Sequence, residues 1–465
     1  MNMINVRRLT VMTFLGAGML SGISAQVSPL QVDTLKETKI PDQWDLQSCI
    51  DYAKEQNITI RKNRITAAST QIDVKTAKAA MFPSLSFSTG HQVVNRPYQE
   101  TSSRVSGSEI ISSNSKTSYN GNYGLNASWT LYNGNKRLKT IQQEKLNNQM
   151  AELDVATSEN NIQESIAQVY IQILYAAESV KVNENTLQVS IAQRDRGQEL
   201  LNAGSIAKSD LAQLEAQVST DRYQLVTAQA TLEDYKLQLK QLLELDGENE
   251  MNIYLPALSD ENVLAPLPTK RDVYISALSF RPEIEASKLN VEASELGINI
   301  AKSSYFPTIS LSAGIGTNHT SGSDFTFGEQ VKNGWNNSIG LSVSVPIFNN
   351  RQTKSAVQKA KLQYETSMLS LLDEQKALYK TIESLWLDAN SAQQRYAAAN
   401  EKLKSTQISY ELISEQFNLG MKNTVELLTE KNNLLQAQQE QLQAKYMAIL
   451  NTQLLKFYQG DQLAL

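Results

Sequence analysis

The chain is short of the residues that most chemistry needs. It has one cysteine, Cys49, and two histidines, His91 and His319, in 465 residues. One cysteine excludes an internal disulfide, and two histidines exclude a His-rich metal site. No glycine-rich loop ending in lysine is present to cradle a phosphate, and no cofactor or catalytic motif is written in the sequence. Basic residues are outnumbered as well: 43 Lys and Arg against 48 Asp and Glu give a formal net charge of −5 and an isoelectric point near 5.4, and none of the positive charge comes in blocks. A nucleic-acid partner needs a basic face to displace counterions, and this chain offers none. Past the first 25 residues, no apolar run approaches the roughly eighteen residues of a membrane helix. Any meeting with a membrane must therefore use strands or a surface.

What is present begins with a targeting segment over residues 1–25. Arg7 and Arg8 form a basic start, VMTFLGAGML an apolar run, and SGISAQ a small-residue cleavage site after Ser24 or Ala25. Its removal takes the net charge to −7 and implies export from the cytoplasm. The phrase LQSC at Leu46–Cys49 resembles a lipid-attachment signal, but it does not directly follow the apolar run; Cys49 reads as a buried small side chain.

The remainder speaks twice. AMFPSLSFSTG, from Ala80, recurs as SYFPTISLSAG, from Ser304, a shift of 224 (304 − 80) that also carries QNITIRKN onto FRPEIEAS. SWTLYNGNKR recurs as SVPIFNNRQT with a shift of 216 (345 − 129), which places Gly204 on Gly420 and Asp210 on Glu426. The first copy is longer only between these phrases, which marks a surface loop there. The organisation expected is a first repeat over 26–245, a linker over 246–271 containing Pro256, Pro266 and Pro268, and a second repeat over 272–465.

Each repeat contains alternating segments. In TSYNGNYGLNASWTLY the odd positions are Tyr119, Tyr123, Leu125, Ala127, Trp129 and Leu131, and the even ones are mostly Asn, Ser and Thr. GWNNSIGLSVSVPIF does the same with Ile339, Leu341, Val343 and Val345. The pattern predicts two hairpins, at about 83–132 and 307–348, four strands in all. A soluble sandwich would fit such strands; the long Asn/Ser/Thr/Gly face and the aromatic residues Phe82, Tyr132, Phe306 and Phe348 at one end of the hairpins favour a water-filled lumen with an interfacial girdle.

The rest is helical. Residues 136–202 lack proline, contain one glycine and step apolar residues at coiled-coil spacing, and the second repeat does likewise through Ile382, Leu385, Ala389, Ala392 and Tyr396. Helices of that length reach about 100 Å. Helices half as long are expected at about 45–80, 209–245, 272–304 and 424–459.

The paired FPSLSFSTG and FPTISLSAG, the strand ends WTLYNG and VPIFNN, the opening WDLQSCIDYAKEQN, and the helix-turn phrases NAGSIAKSDLAQLEAQ and NLGMKNTVELLTEKNN together resemble the TolC-type outer membrane efflux proteins. The resemblance covers essentially the whole mature chain. It implies an α+β membrane protein: a homotrimer whose four strands per chain build one twelve-stranded outer membrane barrel, continued by a periplasmic helical barrel. It also implies a passive duct served by an inner-membrane transporter and a periplasmic adaptor protein, with the strands facing outer membrane lipid. Physics alone requires pooled strands, since lipid tolerates no open sheet edge. Two copies would also close, and only the resemblance selects three. The rival reading is a secreted trimeric coiled-coil adhesin or scaffold, which would need no detergent.

In the family, the helix turns form a gated periplasmic entrance. Asp210 and Glu426 match its acidic positions and Lys422 a basic linking one. Phe417 stands where exporters can have a tyrosine, and Thr429 where a second ring carboxylate can lie, so the closed state here has fewer polar ties. The bare residues support a plainer role: Gly204 and Gly420 as left-handed helix ends, Ser209 and Asn423 as caps, and Asp210 and Glu426 as carboxylates favouring helix N-termini.

Overall fold

A computed structural model describes residues 41–98, 102–106, 109–113, 116–246, 251–256, 263–321 and 325–463. The targeting segment read at residues 1–25 lies outside them. In chain order the elements are α1 (Leu46–Gln56), α2 (Ile58–Ala79), β1 (Ser84–Asn95), β2 (Ser102–Ser106), β3 (Glu109–Ser113), β4 (Thr117–Asn133), α3 (Lys136–Asn202) and α4 (Lys208–Leu242). The second half has α5 (Lys270–Phe280), which starts two residues before the second repeat expected from 272, then α6 (Pro282–Ser303), β5 (Thr308–Thr320), α7 (Phe327–Asn333), β6 (Asn336–Ser344), α8 (Gln352–Asn418) and α9 (Thr424–Gln459).

The two long helices, α3 and α8, have 67 residues each. Short helices pack along their halves, α2 and α4 on α3, and α6 and α9 on α8. Two expected helices are in fact interrupted, at Asn57 and at Arg281, one repeat shift apart. Both residues leave the helical region, with ψ of 126° and 125°. Asn57 accepts hydrogen bonds from the N–H groups of Thr59 and Ile60, which caps α2. Pro282 opens α6 at a position where its missing N–H costs nothing. Arg281 is buried at the second break, donating to Glu283 at 2.7 Å and Glu164 at 3.2 Å and lying 4.2 Å from the Tyr458 ring centre.

The core sits halfway along the long helices. Ile166, Tyr170 and Leu174 of α3 and Ile382, Ala389 and Tyr396 of α8 meet α1, α5 and the end of α9 there. Linker residue Tyr254 donates its N–H to the Trp44 carbonyl and accepts from the Tyr170 hydroxyl, which clamps the linker onto this belt. Cys49 is fully buried in it, and burial, with a smaller contribution from Asp45, pushes its thiol up to about 12. It is an inert packing residue.

The main sheet runs β1-β4-β5-β6, all antiparallel. Four long strands were expected; the extra length of the first copy adds a ribbon, β2–β3, between β1 and β4, while the matching loop of the second copy carries α7. Register sorts the two faces. Leu85, Ala127, Ala313 and Ile339 share one row and Phe87, Leu125 and Ile315 the next, while Ser84, Ser128, Ser312 and Gly340 share a row on the opposite face. Among the described residues no element covers the apolar face, since Leu85, Phe87, Ile339, Leu341 and Val343 are all exposed. That removes the soluble sandwich, whose second layer would bury them. A bulge at Leu131 then turns Tyr132 opposite Ile309, onto the apolar face. The second hairpin ends earlier than expected, because β6 stops at Ser344 and Pro346 has no N–H for the ladder.

These faces make a direct prediction. Leu125→Arg or Val343→Arg places a charge on the lipid side and should cost about 2–4 kcal/mol near the midplane, whereas Asn126→Arg and Ser344→Arg should insert like wild type. Heat-modifiable mobility of outer membrane fractions reads this out. Equal loss from both sets would mean the faces are misassigned.

The sheet ends in two edge strands, β1 and β6, each paired on one side and open on the other. The helices show the same feature: they lie in the order α2–α3–α6–α8 on one side of the core and α4–α3–α9–α8 on the other. The end helices carry bare apolar stripes, Ile58, Ile65 and Ile72 on α2, Tyr223 and Val226 on α4, and Leu362, Leu369, Ile408 and Leu412 on α8. Both layers are open at matching ends.

Candidate functional site at the helix-hairpin tips

Each long helix stops in the same way. Gly204 and Gly420 have φ of +72° and +77°. Gly204 N–H donates to the Leu201 carbonyl and Ser205 N–H to Leu200; Gly420 and Met421 repeat this with Phe417 and Gln416. Both are Schellman endings, which need a left-handed residue that glycine supplies without strain. A side chain at either glycine would meet nothing, so backbone conformation and not space requires them.

The returning helices start differently. Asn423 caps α9 in a full capping box: its side chain accepts from Glu426 N–H at 2.9 Å, and Glu426 accepts from Asn423 N–H at 3.2 Å. The cap expected at Ser209 is not there. α4 begins one residue earlier, at Lys208 after Ala207, and Ser209 lies inside the helix. Ala207 has no side-chain oxygen to cap with, and Asp210 closes the turn by accepting from Ala207 N–H at 3.0 Å. Asp210 is thus tied to the backbone at its tip, while Glu426 also receives Lys422 Nζ at 2.6 Å. The Lys422 hydrogen bond and then the Asn423 N–H hold the Glu426 carboxyl below its ordinary value. Phe417 is buried in the last turn of α8. Thr429 is exposed, and its hydroxyl turns back to the Val425 carbonyl.

A few residues above the tips lies a buried polar cluster that the sequence reading does not single out. Lys431 of α9 binds Asp221 of α4 and the Ser190 hydroxyl of α3, and Ser190 also donates to Asp221. Gln217 donates to the second Asp221 oxygen at 2.9 Å. The Lys431 and Asp221 side chains are only 3% and 1% exposed. Burial lowers the Lys431 ammonium against the pull of its partner. A signal was available: Asp221 continues the stripe Leu211, Leu214, Val218, and Lys431 interrupts Thr424, Leu427, Leu434, so each charge occupies a core position.

At the other end of the long helices, Phe82, Phe306 and Phe348 are exposed beside the joins between helix and strand, with Tyr132 at the end of β4. The far end of the sheet holds a second aromatic group. His91 and His319 flank Gly121 in one row, with Tyr119 and Tyr123 on the same face. His91 bonds Tyr119 Oη at 2.7 Å and Thr89 Oγ1 at 3.0 Å, and His319 stands edge-on to Phe327. Aromatic residues therefore bracket the apolar band at both ends, as in strands that cross a bilayer.

A sheet with one bare apolar face, bracketed by aromatic residues and joined to very long capped helix hairpins, defines a membrane strand-and-tunnel protein. The chain belongs to the outer membrane efflux protein family, which matches residues 49–244 and 273–460. Among curated relatives it is 24% identical to the outer membrane efflux protein BepC of Brucella suis over 63% of this chain and 61% of that one. It is likewise 24% identical to the outer membrane protein TolC of Escherichia coli over 61% of this chain and 58% of that one. The aligned parts thus span about three fifths of those relatives. Among solved structures, CusC superposes with a TM-score of 0.75 at 18% identity, covering 90% of this chain and 92% of that one. The outer membrane protein VceC of Vibrio cholerae gives 0.73 at 16% identity, with 90% and 97% covered. The family places the sheet in the outer membrane and the long helices in the periplasm.

Proposed function

We propose that three copies close into a twelve-stranded barrel continued by a helical tunnel, and that this assembly is a passive export duct. The observation that carries the reading is the matching pair of open ends, β1 and β6 in the sheet and α2 or α4 with α8 in the helices. An open sheet edge is intolerable in lipid, and pooling strands removes it. The Ser/Asn/Gly face then lines the pore. Cargo is handed over by an inner-membrane transporter through a periplasmic adaptor; the efflux in the family's name supports outward conduction, and the cargo is a drug or other toxic small molecule or a secreted polypeptide. The duct itself performs no catalysis and holds no cofactor. Asp210, Glu426 and Lys422, with Phe417 and Thr429 beside them, form the periplasmic gate at the hairpin tips.

The mature protein should require detergent for extraction from outer membranes, run at three times the mass of one chain in native mass measurement, and conduct in planar bilayers. A folded single chain, or a detergent-independent protein without conductance, would defeat the reading; the latter is what an adhesin gives.

A further inference from the structure

The internal repeat does more than duplicate elements: it transmits register. The shift of 224 turns β1 into β5, and the shift of 216 turns β4 into β6. Applied to the observed β1–β4 pairs Leu85↔Ala127, Phe87↔Leu125 and Ser88↔Gly124, they yield Ile309↔Val343, Leu311↔Leu341 and Ser312↔Gly340. All three are the pairs found between β5 and β6. Register thus passes from one repeat to the other without slipping.

One pairing remains to be transformed, β4–β5, which joins the repeats. Its image sends β4 to β6 and β5 back to β1. Within a chain these are the two outer strands, so the image needs a second copy. We propose that β6 of one copy pairs with β1 of the next in the register Leu341↔His91, Val343↔Thr89 and Val345↔Phe87, and that this contact extends β6 through Asn349. These rungs are the images of Leu125↔Ile315, Ala127↔Ala313 and Trp129↔Leu311. Beyond the bulge, Tyr132↔Ile309 and Asn133↔Thr308 become Phe348↔Leu85 and Asn349↔Ser84, with Ile347 taking the bulged place of Leu131.

Three independent features agree. The first is where the backbone groups point. Arg96 N–H donates to the Lys116 carbonyl, so even residues of β1 and β4 face each other; Ser321 N–H donates to the Tyr119 carbonyl, so odd residues of β4 face β5. Strand alternation then turns the odd residues of β1 and β6 outward, the ones the proposed rungs join. Even residues of β6 face β5, as the Ser312 hydroxyl reaching the Gly340 carbonyl shows. Pro346 therefore lacks an N–H on the inner edge, where pairing ends at Thr308↔Ser344, and removes nothing from the outer one.

The second is the exit turn. Gly134 and Asn135, at φ +66° and +63°, map onto Asn350 and Arg351, at φ +51° and +65°. The same left-handed pair delivers both strand ends to their long helices, although L side chains adopt it at a cost in the second copy. The third is exposure at the unpaired end. Leu131, alongside β5, is 43% exposed, whereas Ile347 is 96% and Phe348 84% exposed. These two apolar side chains stand where a neighbouring strand would cover them. The proposed register also keeps the faces intact, placing Val345 beside Phe87 and Ser344 beside Ser88.

The proposal rests on the assembly described under the proposed function, and its test separates the two. Ser88→Cys with Ser344→Cys occupies a non-hydrogen-bonded rung on the polar face, where opposed Cα atoms lie about 4.5 Å apart, inside disulfide range. Mild oxidation should produce bands at two and three chain masses on denaturing gels, collapsing on reduction. Cys49 is buried and should not contribute. Ser86→Cys with Ser344→Cys, and Ser88→Cys with Ser342→Cys, slide the partners by about 7 Å and should cross-link roughly tenfold less or worse. Thr89→Cys with Val343→Cys provides a second in-register pair should the first fail to assemble. Cross-linking at a displaced pair, or at none, in particles whose native mass is trimeric overturns the register and leaves the trimer standing. A native mass of one chain overturns the assembly and this proposal together.

Discussion

Asp221→Ala should destabilise the helical bundle near the tips by about 3–5 kcal/mol, the usual cost of stranding one member of a buried ion pair. The variant leaves the Lys431 ammonium enclosed between α3, α4 and α9 with the Ser190 hydroxyl as its one acceptor among the described residues. Lys431→Met should cost less, because Asp221 keeps the donors Ser190 and Gln217. The double variant Asp221→Leu with Lys431→Met removes both charges and fills the space with apolar atoms, so it should return close to wild-type stability. The cluster is closed within one chain, and assembly can only bury it further. The first helical unfolding step of the detergent-solubilised protein, followed by circular dichroism against denaturant, measures all three. A double variant as unstable as Asp221→Ala would show that the loss comes from disturbed packing and not from the unpaired charge.

How much of this was legible differs by element, and the differences have physical causes. The long helices are plain because periodic apolar steps and the near absence of Pro and Gly persist over many turns; α3 spans the residues that pattern marks. The strand faces are equally plain, since alternation has a period of two and the register preserves it. The helix break at Arg281 has a cue in Pro282, but the one at Asn57 depends on an asparagine turning its own side chain into the cap, which composition does not announce. Ser209 looks like a cap, yet an acid at the third helical position can serve an uncapped alanine through the backbone, and Asp210 does. The bulge at Leu131 is set by how β4 meets β5 across 180 residues, information held by neither strand alone. Lys431, Asp221 and Ser190 are joined only by folding, with Asp221 210 and Ser190 241 residues from the lysine. Their trace in the sequence is charge placed where an apolar residue belongs.

Lys422→Ala should open the duct. In the proposed trimer, Asp210 and Glu426 each place three carboxylates around the entrance, and Lys422, held on Glu426, is the cation that offsets them. Without it the acids repel one another, the tips separate, and the open fraction should rise on the order of tenfold, within the usual range of coupling between sites. Planar-bilayer conductance and uptake of large antibiotics would both increase. Asp210→Asn with Glu426→Gln tests the other half of the idea. The amide oxygens can still accept from Ala207 and Asn423, so the helix caps survive while the charge is lost. That variant should keep its trimers and lose most of its cation preference and its obstruction by multivalent cations from the periplasmic side. Acid provides an independent check, because the carboxyl of Glu426 is held below its ordinary value of 4.5, first by Lys422 and then by the Asn423 N–H. A depressed value means the ionised form and its tie are fully present above pH 4.5 and are lost only as the pH falls through the lower folded value. The share of the cation preference that Glu426 contributes, isolated in Asp210→Asn, should therefore survive acidification past 4.5, and adding Lys422→Ala should make it fade at a higher pH, since the main support of that charge is gone. Unaltered conductance, selectivity and acid response across these variants, with trimers intact, would reduce Asp210 and Glu426 to helix caps alone.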